Sequence, residues 1–284
     1  MLQRVDRQKN SSVASPAPSV RKPSGLSLAL KDLGNGWKRQ QLWRTLAVED
    51  IRSRYMRSFG GMIWVFVSFA FFVFVKTIIF APLFGKEVAH FAPYVTTGYF
   101  VWAFVSSSIS EGCNSFISAK GWIRGARLPL SVFVYRTVTR NMILTCINAL
   151  VVVIILLITK VKVTPVAFFV VPMAGLFFLN ALWVTILFSI IGARFRDFIH
   201  MVSTVMRVML FLTPIFWMPE QMGKLWNYLQ FNPIAHFLIA FRDPLIYGTI
   251  PELSVKVVLG ITVAGWMLAL ATFSYARHRI VFWI

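Results

Sequence analysis

Glu111 and Arg207 stand out chemically in this 284-residue chain, because each places a charge deep inside an otherwise apolar stretch. Glu111 lies nine residues before Lys120, and Arg207 ten residues after Asp197. At 1.5 Å per helical residue, both sit about 13–15 Å from the same side of a membrane. A charge at that depth is costly and needs a partner or a wet cavity, so the two are expected to pair or to edge a common pathway. Other chemistry is missing. No GxxxxGK[ST] loop is present to cradle nucleotide phosphates, the five aspartates never form DxD, and no histidine is followed by Asp four or five residues on. The four histidines lack metal-ligand spacing, and Cys113 and Cys146 fall in apolar stretches as small core residues. We therefore expect no catalytic residue, no metal and no bound cofactor.

The surroundings of these charges are those of a membrane protein. Hydrophobic residues make up 57% of the chain and mean hydropathy is +0.70. Lys and Arg outnumber Asp and Glu by 29 to 10, but they flank apolar runs, so membrane orientation explains them better than nucleic acid does. Residues 1–35 read as a disordered cytosolic tail, and 36–59 as an amphipathic interface helix. On that helix Trp43, Ala47, Ile51 and Tyr55 form one stripe, and Asp50, Arg54 and Arg57 an adjacent one, with Asp50–Arg54 a natural i,i+4 pair. Six spans are expected near 62–80, 94–118, 141–159, 166–191, 199–217 and 253–275, together forming a 60–284 domain. The second span, with Ser106, Ser107, Ser108, Ser110, Glu111 and Asn114, should face protein or a cavity and not lipid. On this plan 21 of the 29 basic residues fall on one side, which places both termini in the cytosol. An uphill transporter built on this plan needs outside energy. An ion gradient would call for several intramembrane carboxylates, so a separate ATPase chain fits better.

Residues 211–247 are apolar and aromatic, yet Pro214, Pro219, Pro233 and Pro244 divide them into pieces too short to cross a bilayer. They read as short re-entrant helices, about 218–248, on the external side, where irregular backbone must line protein or a water-filled cavity.

Several motifs then occur in a telling order: EDIRSRYMRSFGGMIW at 49–64, GARFRDF at 192–198, TPIFW at 213–217, NPI at 232–234 and AFRD at 240–243. Together they resemble the permease subunits of ABC polysaccharide exporters, the type-2 permeases that export O-antigen, capsule or teichoic acid. The resemblance implies a homodimer with two copies of a nucleotide-binding subunit that binds ATP and Mg, and a glycan cargo on an undecaprenyl-pyrophosphate carrier. It further implies coupling to the ATPase through Trp43, Asp50, Lys120, Trp122 and Arg124. Sugar rings stack on aromatic faces, which makes Trp64, Phe66, Phe69, Phe74, Phe211, Phe216 and Trp217 candidates for the substrate path. Arg54, Arg57, Arg124 and Arg127 are candidates for holding pyrophosphate at the cytosolic mouth through charge-assisted hydrogen bonds.

The expected protein is thus an all-α, six-span, multi-pass permease of a bacterial inner membrane, not an enzyme. Membrane lipids surround it and no nucleic acid is involved. Two other readings stand beside this one: a type-2 permease for a drug or other small amphiphile, and a membrane enzyme acting on lipid-linked sugars.

Overall fold

The computed structural model describes residues 25–55, 60–218, 223 and 231–284; Arg57 and most of the 219–230 stretch lie outside them. Among the described residues every regular element is a helix. In chain order they are α1 (Gly25–Lys38), α2 (Gln40–Tyr55), α3 (Ile63–Leu83), α4 (Val88–Ser118), α5 (Lys120–Gly125) and α6 (Ser131–Ile158). A 3-10 turn (Pro165–Phe169) leads into α7 (Val170–Arg194), followed by α8 (Asp197–Leu212), α9 (Pro233–Ile246) and α10 (Glu252–Trp283). Four stretches are long and apolar enough to cross a membrane: Ile63–Leu83, Ser131–Ile158, Pro165–Arg194 and Glu252–Trp283.

The central helix is α4, which packs against α3, α6, α7, α8 and α9. Its composition explains how a polar helix can sit there. Thr96, Thr97 and Ser108 turn their hydroxyls back onto the carbonyls of Ala92, Pro93 and Phe104, at 2.6, 2.8 and 2.8 Å. Each polar side chain is thereby satisfied on its own helix, and an unbroken buried run from Phe91 to Gly98 results. Close approach fixes the neighbour on one side. A methyl group on Gly192 of α7 would stand 2.2 Å from the Cys113 carbonyl oxygen of α4, so the glycine of GARFRDF is what lets the two backbones touch.

Three expectations are corrected. The 1–35 tail is helical from Gly25, and the interface helix begins at Gln40. Ala29, fully buried, and Leu33, packed against the core, supply α1 with apolar contacts that a reading based on polar composition overlooks. The third span starts at Ser131, ten residues early, because the chain leaves Pro129 directly into helix. Where the fifth span was expected, the chain forms the 16-residue α8, about 24 Å long, which stops at Leu212. Thr213 is extended (φ −103°, ψ 139°), as a residue before proline must be.

Candidate functional site

Near the middle of α2 the Asp50 side chain turns into α6, where Arg136 and Arg140 stand one helical turn apart on the same face. Arg136 donates from Nε to Asp50 Oδ2 at 2.7 Å and a second time from Nη2 to Oδ1; Arg140 Nη1 donates to the same carboxylate at 2.9 Å. The other Arg140 nitrogen, Nη2, donates to Glu111 of α4, and Arg54 of α2 closes the chain on Glu111 at 3.2 Å. Two carboxylates and three guanidinium groups therefore lock α2, α4 and α6 together. Burial alone would raise the Asp50 carboxyl, but the hydrogen bonds and positive charge of Arg136 and Arg140 outweigh it and hold the group below its usual 3.8.

This knot corrects two expected pairs. Asp50 does not take Arg54, and Glu111 does not take Arg207, because α2 and α4 both pack on α6 and present their carboxylates to Arg140. Arg207 stays exposed on α8, where it donates to the Ser203 carbonyl at 3.3 Å and to the Thr204 hydroxyl at 3.2 Å. No carboxylate among the described residues lies within ion-pair distance of it.

A second polar knot gathers the motifs that follow α8. Pro214 breaks the helix and frees carbonyls that need donors. The Pro214 oxygen accepts from Arg242 Nη2 at 2.6 Å and from the Tyr94 hydroxyl at 3.2 Å, and the Trp217 oxygen accepts from Tyr94 at 2.9 Å. Asn232 caps α9 through the Ile234 amide at 3.0 Å while its amide nitrogen reaches the Thr213 hydroxyl at 2.9 Å. The Arg242 guanidinium lies 3.6 Å from the centre of the Tyr94 ring and is 2% exposed. TPIFW, NPI and AFRD are thus one structural unit.

The aromatic candidates divide. Trp64, Phe74 and Phe211 are 51%, 60% and 61% exposed on α3 and α8, and Phe66 is half-buried. Phe69, Phe216 and Trp217 are buried, which removes their faces from any pathway in this conformation. Phe69 stacks on Tyr99, Phe216 stacks on Phe80, and the Trp217 indole donates to the Phe211 carbonyl at 2.9 Å. Lys76 lies among the rings of Phe72, Phe80 and Phe216, 5.3–5.6 Å from their centres.

Of the coupling candidates, Lys120, Trp122 and Arg124 are exposed on and beside α5. Trp43 is not available: it is buried against Trp37 and Tyr135, at 5.8 Å from each ring. Asp50 is likewise committed to α6. Arg124 donates to the Ile284 carbonyl at the chain end. Arg127 lines two basic clefts, one of about 430 Å³ with Arg124 and Arg277, the other of about 720 Å³ with Lys31, Lys38 and Arg39.

Sequence reasoning missed four residues. Asp32 accepts from the Leu130 and Ser131 amides at 3.3 and 3.0 Å and faces Arg277 at 3.4 Å, capping α6 from another helix. Arg136 and Arg140 were legible only as loop charges, although their i,i+4 spacing is the mark of a shared face. Arg242 carried no signal beyond its place in AFRD.

Four helical stretches long and apolar enough to cross a membrane, with an ion pair joining α4 to α6, define a multi-pass helical membrane protein. Residues 41–246 match the ABC-2 type transporter family, and the chain belongs to it. It is similar to two O-antigen export system permease proteins RfbA of Klebsiella pneumoniae, 23% and 22% identical, each match covering 81% of this chain and 90% of the relative. A protein of the same name from Myxococcus xanthus is 23% identical over 73% of this chain and 81% of its own length. The expected kinship with ABC transport permeases holds.

Proposed function

We propose that this chain is the permease of an ABC exporter that carries an O-antigen-like polysaccharide, linked to undecaprenyl pyrophosphate, across a bacterial inner membrane. The observation that carries this reading is the match along 90% of two relatives named for O-antigen export. Two copies of the chain form the conduit, and two ATPase subunits, which bind ATP and Mg, drive it. The chain itself binds no cofactor and catalyses no reaction. In this reading α3, α4, α6, α7, α8 and α10 are the six spans, both termini are cytosolic, and α9 re-enters from outside. α2 lies at the cytosolic interface, the permease domain runs from 60 to 284, and α5 touches the ATPase through Lys120, Trp122 and Arg124.

The exposed apolar faces of α3 and α8 support the reading, because both lack partners within the chain where a second copy and a cargo path need them. Trp64, Phe74 and Phe211 line that path, with Phe66 at its edge, and Arg207 adds a charge to the same helix face. Arg54, Arg57, Arg124 and Arg127 are the arginines that take the carrier pyrophosphate at the cytosolic mouth. Deleting the gene should make carrier-linked glycan accumulate in the cytosol and remove it from the surface, and an ATPase subunit should co-purify with the tagged chain. Unchanged surface glycan in the deletion discards the export reading.

A further inference from the structure

A cleft of about 1080 Å³ opens between the ends of α3 and α6, the start of α4, and α9. Four cationic side chains line it, Lys86, Lys160, Lys162 and Arg242, against a single carboxylate, Asp243. His90 also lines it and faces Glu87 at 3.8 Å. In the export reading, on which this inference rests, the cleft lies on the external side. External segments are normally poor in Lys and Arg, so orientation does not account for these residues. Of the seven basic residues that plan puts outside, four converge here.

Two observations make this more than a scatter of surface lysines. The Arg242 side chain is 2% exposed, and its Nε is buried without a hydrogen-bond partner among the described residues. The cleft thus has a fixed cationic floor, held in place by Tyr94 and the Pro214 carbonyl. At the rim, Lys160 has φ 53°, and no other non-glycine residue among the described ones has a positive φ. It follows Thr159, the C-cap of α6, at the position where glycine is the unstrained choice. A lysine kept at a glycine position directs its charge into the cleft at a cost in backbone strain. The first turns of α4 add the positive end of a helix dipole to the same wall.

The geometry points to a binding site for a phosphate or diphosphate ester on the external face, in which Lys86, Lys160 and Lys162 supply the charge and Arg242 the floor. The group could arrive on an anionic phospholipid headgroup or as the diphosphate end of a carrier lipid, and the two sources separate experimentally.

The full-length chain is reconstituted in nanodiscs of phosphatidylcholine alone and of phosphatidylcholine with phosphatidylglycerol. Inorganic pyrophosphate binding to the first and phosphatidylglycerol retention in the second are then measured. Pyrophosphate binding that the Lys86→Gln, Lys160→Gly, Lys162→Gln triple variant loses, without phosphatidylglycerol preference, assigns the site to a diphosphate end. The reverse pattern assigns it to headgroups, and both patterns support the site. Lys162→Gln should weaken the bound ligand roughly fivefold, the weight of one basic residue against an anionic partner. Lys160→Gly should weaken it similarly while raising the melting temperature, because the strain is relieved; a purely structural lysine would show only the second effect. Lys256→Gln, outside the cleft, should change nothing. The inference is overturned if the wild-type chain binds neither probe, or if the Lys86→Gln, Lys160→Gly, Lys162→Gln triple variant binds as tightly. Neither glycan nor ATPase enters these measurements, so their outcome is separate from that of the export assay.

Discussion

At the scale of single residues, the knot of Asp50, Glu111 and three arginines holds the largest concentration of charge. Removing one member of a buried ion pair strands the other, and that is more damaging than never having had the pair. Asp50, with 18% of its side chain exposed, answers two arginines, so Asp50→Ala should destabilise the chain by about 2–3 kcal/mol, read as a lowered melting temperature in detergent. The acid limit follows in sign. The unfolded carboxyl titrates near 3.8 and the folded one lower, so the knot contributes fully above that value and is lost as pH falls through the folded pKa. Thermal melts should therefore be insensitive to this group from pH 7 to about 5, and wild type and Asp50→Asn should converge below pH 3.8. Gly98 holds the second knot open. A methyl there would stand 2.3 Å from Arg242 Nη2, so Gly98→Ala should cost about 1–3 kcal/mol by overpacking, visible in the same melts.

At the scale of elements, Asp32 ties α1 to two helices at once, accepting from the start of α6 and facing Arg277 of α10, beside the hydrogen bonds that Tyr135 and Arg277 donate to the Leu33 and Leu28 carbonyls. Asp32→Ala should cost about 1–2 kcal/mol, the weight of a lost helix cap, and hydrogen exchange should quicken across Gly25–Lys38 before it does elsewhere. Unchanged exchange there would mean that the other contacts of α1 suffice to hold it. The break after α8 belongs to the same scale. Pro214 ends the helix wherever it is placed, but the chain can turn there only because Tyr94, Arg242 and Asn232 arrive from other helices to satisfy the freed carbonyls.

At the scale of the whole molecule, exposure separates pathway from packing among aromatics that the sequence treats alike. Trp64→Ala and Phe74→Ala should reduce glycan export severalfold and leave assembly intact, measured as surface glycan against chain abundance. Phe69→Ala, truncating a buried ring, should lower stability by about 3–5 kcal/mol instead. Equal export by the first two variants and wild type would remove α3 from the pathway. The apolar runs, the helix break at Pro214, the internal position of serine-rich α4 and the family itself were all legible in the sequence. Each rests on a local property: hydropathy over a window, a missing amide hydrogen, or a motif read in order.

Residue pairing was not legible, and the reason is physical. Arg54 meets Glu111 across 57 positions and Arg140 meets Asp50 across 90, so a partner depends on how far each helix rotates when its neighbours pack. Local spacing favoured Asp50–Arg54, and equal depth favoured Glu111–Arg207. Neither signal contains the azimuth of a helix. The sequence by itself determined that the chain is helical, that several of its stretches are apolar enough to span a membrane, and that it must break at Pro214. The tertiary structure alone decided which charges meet, which aromatics stay exposed, and that four scattered cations share one cleft. Those outcomes are set by contacts between segments far apart in the chain.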